Sequence, residues 1–499
     1  MPVAASMTYL IGSGRARSIL VLGVLSIALG TVQILLGGEF EASLLLAGAT
    51  FFGLLAADQA HWKSAVGVLN LVLVGRILLG AYVVKNIFMN EPITARLLAP
   101  ESTALVMFLG FFGVWVATAL AQRYVRPLRV FQAYLQPRHL FAIFLVVLLG
   151  GILSSIAVRI AGGDGQIVAG GAWGIAKAFG AARSVSMPIL MLFLWRIGSK
   201  RWLTHPAVLG LLAGLFVLGI LSTSKQAMAE PIVFYLAMAI ARYGWRHPIA
   251  WLCVPIAIAV FQFFVYPISQ YARFSGGMLK DPRDAAVATA GIISDYLTDT
   301  SFREYVWKYA GNQTHSDEGT LYITEDLVAF GRFSLIGEAD RLIDASDRFQ
   351  GSKWETISNS ILIAVPHFLY PDKPQMASGN FLARFASDLP PTDVSTQVSY
   401  GFMANAYNAF GAGAVVPLSI IATLLVVVPI LLLARESLFA NPWAMFGVVA
   451  VHQPYVEASF SGQFGVFNTV IFALIVLVLA FGVEWLLREA VVAIPQSSA

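Results

Sequence analysis

"LNLVLVGRILLGAYVV", residues 69–84, carries a single charge, Arg76, in an otherwise apolar run. The surrounding stretch, 65–84, is long enough as a helix to cross a bilayer core about 30 Å thick. An arginine near the middle of such a span is costly, and it normally faces a partner or a wet cavity. Glu230 and Glu457 are conceivable partners, and the sequence does not choose between them. A structural ion pair and a functional charge have equal claims on Arg76.

Working outward, the pattern repeats. The chain has 499 residues, 58% of them hydrophobic and only 12% charged, with a mean hydropathy of +0.74. That composition predicts an all-α, polytopic membrane protein. Apolar runs at 18–37, 42–57, 65–84, 103–121, 139–158, 184–197, 206–221, 231–241, 248–265, 412–434, 443–459 and 466–486 predict about twelve spans. Alternate connections carry the basic residues: Arg15 and Arg17, Lys63, Arg123 to Arg138, Arg196 to Arg201, Arg242 and Arg246, Arg435 and Arg488. By the positive-inside rule both termini are cytoplasmic. The first run lacks a small-residue cleavage site and leads straight into further spans, so no cleavable signal peptide is read.

Three regions follow: 1–265 with nine spans, 266–411 as one long outer loop, and 412–499 with three spans and a cytoplasmic C-terminus. The loop holds 17 of the 28 acids and 11 of the 32 bases, a net of −6 against +10 for the remainder. A connection that long is expected to be folded and functional. It reads as mainly helical. In "SLIGEADRLIDASDRFQ" (334–350), Leu335, Ala339, Leu342, Ile343 and Phe349 form an apolar stripe that predicts a helix over 335–349.

The single cysteine, Cys253, excludes an intrachain disulfide and cysteine-based metal or redox chemistry. No GxxxxGK[ST] loop argues for ATP hydrolysis, and no HExxH or histidine cluster argues for a metal. "GGDGQIVAGG" (162–171) follows no strand and reads as an outer connection. No cofactor, metal or nucleic acid is expected.

Four places could carry chemistry. In "STSKQAMAEP" (222–231), Lys225 falls at a membrane boundary and Pro231 fits the first turn of the next helix, whose free N–H groups suit an anionic head group. A snorkelling lysine is the plainer account of Lys225. Arg341 and Arg348 share a helix face with Asp344 between them, a pattern that favours an ordinary surface ladder. Arg332, in "FGRFS", lies outside that ladder. "VPHFLYPDKP" (365–374) is stiffened by Pro366, Pro371 and Pro374, which lowers the cost of ordering His367, Asp372 and Lys373 around a ligand. Taken alone, it also reads as a rigid turn returning to the membrane.

Together, "TSKQA" before a helix, "GRFS" in the loop, "VPHFLYPDKP" and "GFMANAYNAFG" (401–411) resemble the bacterial O-antigen and exopolysaccharide repeat-unit polymerases, which are related to the O-antigen ligases. The resemblance covers roughly 206–415. Relatives tend to carry arginine where this chain has His367, and glutamate where it has Asn405. The resemblance implies transfer of a growing glycan from undecaprenyl pyrophosphate to an incoming lipid-linked repeat unit. The reaction would occur outside the cytoplasmic (inner) membrane, beside a chain-length regulator and a flippase. Such a donor brings its own leaving group, so the site needs cations for the departing pyrophosphate and a base for the acceptor hydroxyl. Lys225, Arg332 and Arg341 suit the first role, and His367 and Asp372 the second. Lys373 would serve the second lipid's phosphates. Arg273, Tyr407 and Asn408 complete the substrate-binding set.

Three rival readings stand beside this one. An O-antigen ligase differs only in its acceptor. A glycosyltransferase using polyprenyl monophosphate sugars would need acids on a substantial first outer loop, whereas "GEFEAS" (38–43) is short. A secondary transporter would show paired broken helices in two halves, and none is read.

Overall fold

The computed structural model describes residues 13–133, 136–160, 171–221, 225–243, 256, 259–276, 282–312, 322–323, 334–365, 378–389, 398–438, 441–457 and 460–492. Among these, every regular element is helical. Eight helices are long and apolar enough to cross a membrane, at Ala16–Leu35, Phe40–Gln59, Ala65–Phe88, Pro100–Tyr124, Pro137–Ala157, Ala178–Arg196, Ala412–Leu433 and Gly462–Leu486. Shorter apolar helices occupy Pro206–Gly219, Ala227–Ile240 and Pro442–His452. The chain is therefore a polytopic helical membrane protein. The remaining expected span, 248–265, falls mostly outside the described residues.

The helix expected from 231 begins earlier, at Lys225, and Pro231 lies inside it rather than in its first turn. Pro417 and Pro429 likewise sit within helix Ala412–Leu433. Membrane helices tolerate such prolines because neighbours re-satisfy the freed carbonyls.

The chain divides into two compact units. The first comprises the described parts of Met1–Arg126, Asp317–Leu432 and Val451–Phe467; the second comprises those of Pro127–Ser316, Leu433–Ala450 and Asn468–Ala499. The stretch 266–411 is thus shared between them.

In the first unit, helix Phe40–Gln59 lies along helix Pro100–Tyr124. The close approach rests on small residues: a Cβ on Gly48 would meet the Phe108 ring at 2.8 Å, and one on Gly53 would meet the Phe111 ring at 2.9 Å. Phe52 packs against Phe108, Phe112 and Trp115. Asn70, fully buried, ties the elements together: it donates to Thr118 (3.1 Å) and the Ala56 carbonyl (3.3 Å), and accepts from the Tyr455 hydroxyl (2.8 Å). An unsatisfied amide there would cost several kcal/mol in hydrocarbon, roughly as for any buried polar group.

Span Ala65–Phe88 is interrupted by two π-helical stretches, Gly75–Leu79 and Val83–Phe88. Each contains one of its cations, Arg76 and Lys85. The wider turn loosens the local ladder, and the Arg76 carbonyl accepts the Leu335 N–H at 2.9 Å. Of the two acids named for the Arg76 side chain, Glu457 makes the ion pair.

The helix expected over 335–349 is present at Ile336–Phe349. It packs against helices Pro100–Tyr124 and Gly401–Phe410. Leu335, Ala339, Leu342 and Ile343 are buried as the stripe requires, but Phe349, in the last turn, is 56% exposed.

In the second unit, Gly150 lets helix Pro137–Ile160 approach Phe179, whose ring sits edge-on to Phe472 at 4.7 Å. Glu484 pairs with Arg138 Nε (3.0 Å) and lies 3.2 Å from His139 Nε2. Ser184 donates to Glu230 at 2.8 Å. Helices Tyr266–Gly276, Pro282–Thr298 and Thr300–Asn312 enclose a small core of Ile268, Ala272, Ile292, Tyr296 and Val306.

Candidate functional site

The polar side chains of the first unit collect around the turn 89–99 and around the helix pair Ile336–Phe349 and Gly401–Phe410. Lys85, wholly buried, pairs with Glu91 at 2.9 Å, and its ammonium sits 4.5 Å from the centre of the Tyr322 ring. Arg96 holds the other Glu91 oxygen at 2.6 Å. Burial alone would raise the Glu91 carboxyl, but the hydrogen bonds and charges of Lys85 and Arg96 outweigh it and leave it below the usual range. Tyr322, whose hydroxyl donates to the Ile93 carbonyl (2.8 Å), is pushed well up by burial.

Asp340 fastens the next element. Its carboxylate accepts from the Leu98 N–H (2.6 Å), the Ala99 N–H (3.0 Å) and the Thr103 hydroxyl (2.8 Å), capping the start of helix Pro100–Tyr124. Burial nonetheless raises its pKa, against the pull of those three donors.

The next residue, Arg341, departs from the expected ladder. Arg348 does pair with Asp344 at i, i+4, but Arg341 reaches Asp388, at 3.1 Å. Asp388 also accepts the Tyr400 hydroxyl. Burial and the Asp388 charge raise Tyr400, which stays protonated as the donor. Burial works against the Arg341 charge, but Glu338 and Asp388 together prevail and hold it on.

At the far ends of the same two helices lies a half-open cleft of about 540 Å³. Its inner wall is pinned by Asn408, which is 1% exposed. Asn408 donates to Ser346 Oγ at 2.8 Å, accepts from Ser352 Oγ, and its carbonyl accepts the Ser352 N–H at 3.0 Å. The turn that carries the opposite lip is wound left-handed, with φ of +65° at Gln350, +62° at Gly351 and +50° at Lys353. A Cβ on Gly351 would lie 2.1 Å from the Asn408 carbonyl oxygen, so only glycine closes that corner. The turn delivers Trp354, 68% exposed, edge-on to Phe410 with ring centres 5.0 Å apart. Across from it the Tyr407 hydroxyl donates to Asp347 at 2.5 Å; burial and that acid raise the tyrosine. Directly after the cleft, at Ala412, a membrane-spanning helix begins.

Of the residues named from sequence, Tyr407 and Asn408 line this cleft, the second as its internal strut. Arg341 lies on the same helix pair, bound to Asp388. Lys225 opens helix Lys225–Tyr243 and Arg273 lies in helix Tyr266–Gly276, with both side chains outside the described residues. Arg332, His367, Asp372 and Lys373 lie outside them too. Sequence reasoning passed over Trp354, Asp347, Asp388 and Lys85. Only Asp347 had a signal, its place in the quoted helix two turns beyond Asp340. Asn405 is buried; its amide donates to the Gly401 carbonyl (2.8 Å), and its side-chain oxygen has no partner among the described residues.

Among the described residues no group of histidine, cysteine and acidic side chains could hold a metal ion. No family model, no curated protein and no solved structure matches this chain.

Proposed function

We propose that the chain polymerises undecaprenyl-pyrophosphate-linked oligosaccharide repeat units on the outer face of a bacterial cytoplasmic membrane, with both termini inside. The observation that carries this reading is the cleft of Asp347, Trp354 and Tyr407 set at the head of membrane span Ala412–Leu433. A polar, aromatic-lipped cleft at that level suits a substrate whose sugar is polar and whose anchor stays in the bilayer. The resemblance of the sequence motifs supports the same chemistry.

In the reaction, the bond between the donor's anomeric carbon and the pyrophosphate oxygen breaks. A glycosidic bond forms to the acceptor hydroxyl, whose proton passes to a base, and the lipid pyrophosphate departs with the electron pair. His367 or Asp372 takes the proton. Lys225 and Arg332 stabilise the departing pyrophosphate. Arg341, already neutralised in part by Asp388, orients that acid and Tyr400.

The test is reconstitution of the purified chain in liposomes with a lipid-linked repeat unit from its own organism. A ladder of lengthened lipid-linked glycan is expected, without added nucleotide or metal. Lys225→Ala and Arg332→Ala proteins at normal abundance should give none. No ladder from the native protein would end the polymerase reading, and transfer of the glycan to a lipid A-core acceptor instead would make the chain a ligase.

A further inference from the structure

Helices Ile336–Phe349 and Gly401–Phe410 run parallel. At one end Arg341 and Tyr400 share Asp388; at the other Ser346 meets Asn408 and Asp347 meets Tyr407. Both helices therefore end at the cleft, at Gln350 and Gly411. A helix C-terminus carries about half a negative charge, with carbonyls facing outward. Those two ends are offset by the starts of helices Trp354–Ala364 and Ala412–Leu433 at the same cleft, and Asp347 by Lys353, the one cation of the lining. Some of the carbonyls are taken: Tyr407's accepts the Gly411 N–H at 2.7 Å, and Asn408's accepts that of Ser352. Asp347 keeps a second oxygen with no partner among the described residues. The balance is near neutral, and the cleft is rich in acceptors. It favours uncharged groups that donate hydrogen bonds.

The other ingredient is Trp354. Its exposed ring is held edge-on to Phe410 by a strained turn rather than left on a mobile tip. The C–H face of a pyranose is apolar and packs on such a ring, while its rim hydroxyls reach the acceptors. A volume of about 540 Å³ accommodates a short stretch of glycan.

We propose that this cleft is a subsite for an uncharged pyranose, stacked on Trp354 and hydrogen-bonded by Asp347, rather than a seat for the pyrophosphate. The inference rests on the reading of the cleft as part of a lipid-linked glycan site, and it names which part of the substrate goes there. The competing account of Trp354 is an interfacial anchor that touches only lipid.

The experiment is saturation-transfer NMR on the full-length protein in nanodiscs. The probes are methyl glycosides of glucose, galactose, mannose and N-acetylglucosamine, methyl glucuronide, and dextran-type trisaccharide, with phosphorus NMR line broadening for inorganic pyrophosphate. At least one neutral probe should receive saturation that falls five-fold or more in Trp354→Ala and persists in Trp354→Phe. Asp347→Asn should weaken the same probe several-fold while strengthening methyl glucuronide. Three results overturn the proposal: no transfer to any neutral probe, transfer indifferent to Trp354→Ala, or glucuronide or pyrophosphate as the Trp354-dependent ligand. The liposome assay separates the two failures. Trp354-dependent pyranoside binding without any polymer sinks the polymerase and keeps the subsite. Normal polymer from Trp354→Ala sinks the subsite and keeps the polymerase.

Discussion

Arg76 and Glu457, 381 positions apart in the chain, meet as an ion pair within one compact unit. Both side chains are about a quarter exposed, at 24% and 23%. Removing one partner of a fully buried pair costs about 3–5 kcal/mol; the partial exposure here brings the expectation to about 1–3 kcal/mol. Arg76→Met and Glu457→Gln should each lower the unfolding temperature in detergent. The double variant Arg76→Met/Glu457→Gln should be less damaged than the sum of the singles. Strictly additive losses would show that the two charges do not depend on each other.

Glu91→Gln should be among the most damaging single changes outside the spans. It leaves Lys85, which is wholly buried, without its carboxylate, and stranding such a charge costs about 3–5 kcal/mol. Replacing both, as Lys85→Met/Glu91→Gln, should recover much of that loss in a thermal unfolding series.

Acid should act oppositely on two carboxylates. The folded Glu91 value lies below the ordinary one, so its contribution is present above the usual carboxylate range and lost as pH falls through the lowered value. The folded Asp340 value lies above the ordinary one, so its contribution is full below the usual range and lost as pH rises through the raised value. Unfolding temperatures measured from about pH 3 to 7 should lose acid sensitivity in Glu91→Gln and gain it in Asp340→Asn. Asp340→Asn should also be destabilised at every pH, since its amide faces the Leu98 N–H with a donor, at a cost of about 1–3 kcal/mol.

Gly351→Ala should damage the cleft wall. A left-handed alanine costs about 1–2 kcal/mol, and the clash with the Asn408 carbonyl adds to it. Gly291→Ala, in a helix with nothing within 4 Å of the new methyl, should be neutral or stabilising by up to about 1 kcal/mol. Equal unfolding temperatures for the two variants would refute the tight corner.

Arg348→Ala and Arg341→Ala should part company. Arg348 is 57% exposed on its helix, and such a pair is worth at most about 0.5 kcal/mol. Arg341 is better buried and secures Asp388, so its loss should cost about 1–3 kcal/mol. Indistinguishable melting curves would mean the Asp388 contact carries no weight.

Hydropathy alone located eight of the twelve expected spans as helices long enough to cross, because a bilayer imposes one length and one polarity on whatever crosses it. The helix at Ile336–Phe349 was legible to within a residue, since its apolar stripe repeats at helical spacing. Pro231 misled because proline favours first turns in water, while a crowded membrane bundle accepts it later. Asp388 was illegible as the partner of Arg341: 47 residues separate them, and no local pattern encodes a pairing at that range. Trp354 was equally silent. Its significance comes from a turn of positive φ that aims it, and neither Gln350 nor Lys353 advertises that conformation.

The division of the first unit among three stretches of chain bears on how it is made. Arg76 enters the bilayer long before Glu457 is synthesised; at about 5–20 residues per second the 381 intervening residues take roughly 20–80 s. Throughout that interval the nascent span carries a charge whose carboxylate does not yet exist, while nearly all of the second unit is being threaded. Something must shelter it, whether water retained around the insertion machinery or a companion protein. A chain broken off before residue 457 never gains that carboxylate, so the same arginine that stabilises the finished molecule burdens an unfinished one.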